Sequence, residues 1–261
     1  MSKTTKPLVS IVTPVHNGEN FIAATVRTVC NQTFRDWEWI IVDDNSDDQT
    51  LARIEEARKK VVSKGLAVGD IRVMHLTKNS GAAKVRNAGI AESRGRYLCF
   101  IDADDLWKTN KLEKQVRFMA ETGAAFSFTG YEFADASGRP NGKVVSVPST
   151  ISYKQALRNT TIWTSTVMFD MRKLEKEDVT MPEIASEDTA TWWKVLKKVK
   201  YAYGLNEALS YYRRSGKTLS SNKLVAIRRI WNLYRKQEKL NLLYSSVNFM
   251  GYAFNAVRRR V

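Results

Sequence analysis

Apolar runs and helical stripes alternate along the first hundred residues. Residues 8–13 form a short β-type run closed by Pro14, and Asn17-Gly18-Glu19-Asn20 is a turn. A helix follows, with Ile22, Val26 and Val29 on one face. Residues 37–42 read as a second strand that ends in Asp43-Asp44-Asn45-Ser46. Ser46 and Gln49 have capping-box spacing, which predicts a helix over 47–63. Residues 71–76 read as a third strand, 81–93 as a helix and 97–101 as a fourth strand.

This alternation is the mark of βαβ units, so the chain predicts an α/β fold whose parallel sheet is covered on both faces. Ligands of such sheets bind beyond the carboxyl ends of the strands. Thr13, the pair Asp43 and Asp44, and the acids of 102–105 stand at three such ends. The pattern changes after Thr109. Residues 111–122 predict a helix, 125–133 a strand, and 137–142 the turn of a hairpin. Residues 164–169 are again β-type. Ser186-Glu187-Asp188 opens an amphipathic helix containing Trp192, Val195 and Leu196.

Composition adds limits. With 261 residues, 43% of them apolar, the chain can bury a large core. No long hydrophobic segment opens it, so no signal peptide is expected. Cys30 and Cys99 read as buried thiols in a reducing compartment, and His16 and His75 have no metal-type spacing. The net charge of +15 is unevenly placed: residues 191–261 carry 16 Lys and Arg against Glu207 and Glu238 alone. That surplus calls for an anionic partner: a membrane surface, a lipid-linked phosphate or a nucleic acid.

The segment Tyr97-Leu98-Cys99-Phe100-Ile101-Asp102-Ala103-Asp104-Asp105 concentrates the chemistry. A buried-type strand that stops in three acids places like charges together at a desolvated position. A divalent cation relieves both problems, and carboxylates suit Mg²⁺ or Mn²⁺. An Asp cap for a helix near 106–111 accounts for Asp105 only. The first βα loop has one glycine, Gly18, with neither a Walker A sequence nor GxGxxG.

Five pieces in order resemble family 2 glycosyltransferases of the GT-A fold. They are Val9-Ser10-Ile11-Val12-Thr13-Pro14-Val15-His16-Asn17, Val42-Asp43-Asp44-Asn45-Ser46, Asn79-Ser80-Gly81 with Arg86-Asn87-Ala88-Gly89-Ile90, Asp102-Ala103-Asp104-Asp105, and Glu187-Asp188. The resemblance spans roughly residues 9–221 and implies a mostly parallel central sheet flanked by helices. It implies a transferase body over 7–221, followed by a basic helical extension over 222–261. It also implies a non-processive, inverting transfer, since no QxxRW motif is present. One sugar would pass from a nucleotide-diphosphate donor, a UDP-sugar by preference, to a saccharide or lipid-linked acceptor in cell-surface polysaccharide or glycolipid synthesis.

The resemblance also implies roles. Asp44 matches the contact to the base, and Thr13 and Pro14 match backbone and hydroxyl contacts to the nucleotide. Asn79, Gly81 and Arg86 match a stretch near it, although Arg86 suits a surface ion pair equally well. Asp104 matches the ligand of Mn²⁺ or Mg²⁺, with Asp102 on the ribose or on water bound to that ion. Asp188 matches the catalytic base. Trp163 and Trp192 are candidates for the acceptor side. Tyr211-Tyr212-Arg213-Arg214-Ser215-Gly216-Lys217, with Ser220 and Ser221, resembles a mobile basic segment that folds over the donor phosphates through Arg213. Many relatives place a His shortly after that Arg; this chain does not.

Residues 223–260 read as one long basic helix with Leu240, Leu243, Tyr244, Val247, Met250, Phe254 and Val257 at helical spacing. Asn241, Ser245, Ser246, Asn248, Gly251 and Asn255 argue against a bilayer span. An interfacial helix on an anionic membrane is expected, with packing on the body or on a second subunit as the alternative. The chain is thus expected in the cytoplasm, at the inner face of the plasma membrane, with a homodimer left open. A sugar nucleotidyltransferase is the competing enzyme class. Nucleic acid is not expected as a partner, because its phosphates would meet the acidic rim.

Overall fold

The computed structural model describes residues 6–63, 70–159, 161–214 and 223–258. The first half runs β1 (Val9–Val15), α1 (Ile22–Cys30), β2 (Trp37–Asp43), α2 (Thr50–Ser63), β3 (Asp70–His75), α3 (Ala82–Glu92) and β4 (Tyr97–Phe100). The second half runs β5 (Leu106–Trp107), α4 (Lys111–Thr122), β6 (Phe126–Ala134), β7 (Pro140–Val145), β8 (Thr150–Ile151), α5 (Tyr153–Ala156), β9 (Met168–Asp170), α6 (Lys176–Val179), α7 (Glu187–Lys198) and β10 (Ala202–Arg213). Two helices follow, α8 (Lys223–Asn232) and α9 (Leu242–Arg258), joined through a π turn over Leu233–Gln237.

One sheet holds the described strands in the order β3-β2-β1-β4-β9-β6-β10-β5, with β7 beside β6 and β8 beside β10. β1 to β4 pair in parallel. β9 is inserted antiparallel between β4 and β6, and β6 and β10 are parallel again. β2 and β4 are buried at every residue and β1 at all but one, which is why they read as unbroken apolar runs. β3, at the edge, is buried only at Ile71. One face of the sheet packs Val12, Ile40, Val42, Leu98 and Phe100 against α3 and α7. The other packs Ile11, Trp39, Ile41 and Cys99 against α1, α2 and α4.

Several local expectations change. Pro14 does not close β1; it pairs opposite Val42, beyond the point where β4 leaves β1 with one neighbour. The expected helix at Asp47 starts at Thr50 instead. The Ser46 hydroxyl donates to Asp43 and accepts from the Asn17 N–H, so it caps nothing, while Asp48 accepts from the Thr50 N–H at 2.8 Å. Asp105 does not cap a helix either: Leu106 and Trp107 form β5, paired with Tyr211 and Ser210. Residues 164–169 divide into a 3₁₀ turn, Thr164–Thr166, and the start of β9.

Trp192 leaves the acceptor side. It is 2% exposed and sits among the rings of Phe100, Phe126 and Phe169 at 5.4–6.3 Å. Tyr211, Tyr212 and Arg213 belong to β10 rather than to a mobile segment, and Ser215-Gly216-Lys217, Ser220 and Ser221 lie outside the described residues. The C-terminal segment is not one helix: it turns at Lys239, whose φ is +53°, before α9 begins. It also shares the body's core. Ile230, Leu233 and Tyr234 are buried, and Tyr234 stacks on Trp193 with centroids 5.4 Å apart.

Candidate active site

A cleft of about 460 Å³ opens beyond the carboxyl ends of β1, β2 and β4. Asp44, Asp102, Asp104, Asn79, Gly81 and Pro14 line it, so the three strand ends do share one rim. The sequence reading missed His16, Asn17 and Phe21, which line it too. The signal was their place in the β1–α1 loop; His16 had been set aside for lack of metal spacing.

The loop after β4 is fixed from outside, which leaves its acids free to face the cleft. The Thr25 hydroxyl donates to the carbonyls of Ala103 and Asp105 at 2.8 and 2.9 Å. The Asp102 N–H donates to Ser165 Oγ at 3.0 Å, and that hydroxyl donates to Asp105 at 2.6 Å. Asp105 also accepts from the Arg213 N–H at 3.4 Å. Burial, with Asp104 and Asp102 nearby, holds the Asp105 carboxyl well above the usual range. Burial and the Asp102 charge push the Asp104 carboxyl up to about 6.

Asp44 is 4% exposed and accepts from the Ser80 and Gly81 N–H groups at 2.7 and 2.8 Å. It therefore pins the loop that carries Asn79. Gly81 takes φ +85° at the start of α3, where a Cβ would meet nothing but open space. Its glycine serves the backbone, not the packing. Thr13 departs from expectation. Its side chain is fully buried, and its hydroxyl accepts from Trp39 Nε1 at 2.9 Å, which turns it away from a nucleotide.

Arg86 is not on a surface ion pair. It is 7% exposed and bridges two elements, donating to Asp102 at 2.7 Å and to Glu187 at 2.8 Å. Burial opposes its charge, yet Asp102, Glu187 and Asp188 raise its pKa above the ordinary value. Burial and Asp188 raise the Glu187 carboxyl. Asp188 is not among the residues that line the cleft; its charge acts on Glu187 and on Arg86, which in turn pairs with Asp102. It lies in the first turn of α7, where a carboxylate is favoured by the helix dipole. It accepts from Thr189 N–H at 2.6 Å and from Thr164 Oγ1 at 3.2 Å. Ser186, just before α7, holds φ +61°, a left-handed conformation costing a serine roughly 1 kcal/mol.

Arg213 is 3% exposed, with Cζ 5.1 Å from the Phe21 ring centroid. Its Nε and Nη2 have no hydrogen-bond partner among the described residues. Burial lowers its pKa against the pull of Asp104 and Asp105. Beside the 3₁₀ turn, Trp163 meets Tyr131 at 5.1 Å and Tyr212 at 4.7 Å, an aromatic group next to the residue that touches Asp188.

Comparison with known proteins agrees with this layout. Residues 10–179 match the model of the glycosyl transferase family 2. A Bacillus subtilis (strain 168) protein described as "Putative teichuronic acid biosynthesis glycosyltransferase TuaG" is 42% identical over 257 residues, covering 98% of each chain. The Escherichia coli UDP-Glc:alpha-D-GlcNAc-diphosphoundecaprenol beta-1,3-glucosyltransferase WfgD is 33% identical over 229 residues, 87% of this chain and 85% of its own. The fold superposes on the Pyrobaculum calidifontis mannosyltransferase PcManGT, solved with GDP-Man and Mn²⁺, with a TM-score of 0.71. That match has 15% identity and covers 98% of this chain and 72% of that one. The chain has the GT-A fold and belongs to the glycosyl transferase family 2.

Proposed function

We propose that the protein transfers one sugar, with inversion, from a UDP-sugar to a lipid-linked saccharide in cell-surface polysaccharide or glycolipid synthesis. The observation that carries this reading is the pairing of Asp102 and Asp104 in the cleft, where burial and mutual repulsion leave a carboxyl raised to about 6. Arg86 pairs with Asp102, but no ion pair among the described residues reaches Asp104, and two carboxylates this close are unfavourable until a further cation joins them.

The residues fit a hard divalent ion, Mn²⁺ or Mg²⁺. Asp104 and Asp102 offer oxygens, and among the described residues no third His, Cys, Asp or Glu completes a metal site. That suits an ion that takes its remaining ligands from phosphate and water. When bound, it offsets the charge that builds on the leaving nucleoside diphosphate. The structural neighbour in complex with GDP-Man and Mn²⁺ supports this reading.

The chain's own groups supply the rest. Asp44 and the Asn79–Gly81 loop receive the base, with Pro14 beside it; each Asp44 oxygen keeps a lone pair after binding its backbone N–H. Arg213, whose Nε and Nη2 have no partner among the described residues, meets the donor phosphates. Asp188 takes the proton of the acceptor hydroxyl as it attacks the anomeric carbon. Arg86 holds Asp102 and Glu187 in register, fixing base and donor relative to each other. One base and one leaving group suffice for a single displacement, hence inversion. The diphosphoundecaprenol acceptor named for WfgD motivates the lipid-linked acceptor.

The test is calorimetry of UDP with MnCl₂, alongside an assay for the released nucleotide. The wild-type chain is expected to bind only with the metal and to release nucleoside diphosphate. Asp104→Ala is expected to abolish metal-dependent binding. Unchanged affinity in that variant, or release of pyrophosphate, overturns the proposal.

A further inference from the structure

Helix α9 carries apolar residues on two sides. Tyr244, Phe249 and Tyr252 pack against the body's core, beside Ser245 and Asn248, which are fully buried. Arg158 Nε donates to Asn248 Oδ1 at 2.8 Å, and Asn255 Nδ2 donates to the Arg158 carbonyl at 2.8 Å. A Cβ on Gly251 would come within 2.8 Å of Arg158 Cδ, so only glycine lets the helix seat this closely. The opposite side is apolar and open. Leu243 is 77% exposed, Phe254 68% and Met250 63%. With Val247 these positions fall on one stripe of a 3.6-residue helix. Water selects the reverse arrangement, so such a stripe marks a contact surface.

Charge decides what covers it. Lys236 and Lys239 are exposed just before α9, and the sequence carries Arg258-Arg259-Arg260 at its other side. No acid follows Glu238, which is itself paired with Lys197 at 3.0 Å. A second copy meeting stripe to stripe would bring identical cations together. An anionic lipid leaflet answers both features, since it buries the stripe and neutralises its flanks.

We infer that α9 is an interfacial anchor, lying with its Leu243–Phe254 stripe among the head groups of an anionic membrane. Among the described residues, no helix is long and apolar enough to cross one. Residues 7–221 then serve catalysis and 222–261 docking. The seat of the anchor also has a consequence for the site. Arg158 lies six residues before Thr164, whose hydroxyl donates to Asp188. Six residues span at most about 22 Å. The anchor holds the base side of the cleft near the leaflet in which a lipid-linked acceptor is embedded, a clause that rests on the proposed function.

The test is flotation of the full chain with vesicles of phosphatidylcholine alone or with added phosphatidylglycerol. Binding is expected only to the anionic vesicles. Leu243→Asp with Phe254→Asp is expected to lose it, and Lys236→Gln with Lys239→Gln to weaken it about thirtyfold. Both native cysteines are buried, so a polarity-sensitive dye attached through Met250→Cys reports the stripe alone and serves even where the Asp variants fail to fold. Its emission is expected to shift to the blue on anionic vesicles. Equal binding to both vesicle types, or no shift at position 250, overturns the inference. So does a dimer dissolved by Leu243→Asp in a chain that ignores vesicles. Calorimetry with UDP and Mn²⁺ on the same variants separates the two proposals: flotation lost with donor binding kept supports the anchor, while donor binding absent with flotation intact overturns only the catalytic reading.

Discussion

Glu38 and Asp104 are acids at opposite ends of the parallel part of the sheet, and their surroundings differ in kind. At the amino end, Glu38 of β2 is fully buried and accepts four hydrogen bonds: from Ser10 Oγ, the Arg94 N–H, Arg94 Nε and Arg72 Nη2, at 2.6–2.8 Å. Burial alone would raise its carboxyl, yet Ser10 and Arg94 hold it below the usual range. At the carboxyl end, Asp104 and Asp105 are held above that range, and Arg213 nearby has two nitrogens without partners. Both ends are desolvated. Only at the first is the carboxylate fully partnered within the protein, although Arg72 Nε there finds no acceptor. The second carries a deficit that a ligand with phosphates and a cation would fill, and perturbed charge of that sort concentrates at functional sites.

The largest effect should come from the incomplete end. Asp188→Asn keeps an acceptor for the Thr189 N–H and removes the base. Turnover is expected to fall on the order of a thousandfold, about 4 kcal/mol, with UDP affinity unchanged by calorimetry. A loss of both together would mean that Asp188 supports the cleft and not the proton transfer.

The complete end should answer in stability and not in chemistry. Glu38→Gln leaves Arg72 and Arg94 facing a neutral amide and strips a buried acceptor of its charge. A loss of about 3 kcal/mol in urea unfolding is expected, with kcat and UDP affinity unchanged in the folded fraction. The sign of the pH dependence follows from the depressed folded value. The stabilisation from Glu38 is present above its unfolded pKa, near 4.3, and is lost as pH falls further through the folded value. The difference between variant and wild type should therefore narrow in acid. A difference independent of pH would remove Glu38 from this role.

The two ends were not equally legible in the sequence. β1, β2 and β4 are buried on both faces, so their apolar runs revealed them without any partner information. The acids at their tips stood out by contrast with those runs. Glu38 did not, because its partners come from β1, β3 and the α3–β4 loop, and nothing local in Trp37-Glu38-Trp39 points to them. β10 was missed for a related reason: Glu207 interrupts its apolar pattern, its register against β6 shifts between Leu205 and Ser210, and its β6 partners lie almost eighty residues earlier. The Ser46–Gln49 capping box failed because Asp43 and Asn17 claimed the serine first. In α9 the helical spacing was legible, but which face points outward depends on Arg158, at least ninety residues before the side chains it meets.

The smallest expected effect sharpens the comparison most, because Lys111 is buried and unpartnered yet lines no part of the cleft. Its Nζ lies 3.8 Å from the Trp107 ring centroid, and burial pushes the ammonium down to about 8. If every incomplete buried charge served a ligand, Lys111→Met would cost donor binding. The geometry argues otherwise: with no hydrogen-bond partner among the described residues, the ammonium rests on an aromatic face, which recovers up to about 2 kcal/mol of a larger desolvation cost. Lys111→Met is expected to stabilise the fold by about 1 kcal/mol at pH 7 and leave UDP affinity untouched. Because the folded pKa lies below the unfolded value near 10.4, the fold prefers the neutral amine. The advantage of methionine should be full below pH 8 and shrink as pH rises from 8 towards 10.4, read by urea unfolding across that range. A variant that is destabilised at pH 7, or that loses UDP, would mean the rule drawn from the two ends needs no cleft, and that a deficit of partners alone marks a site.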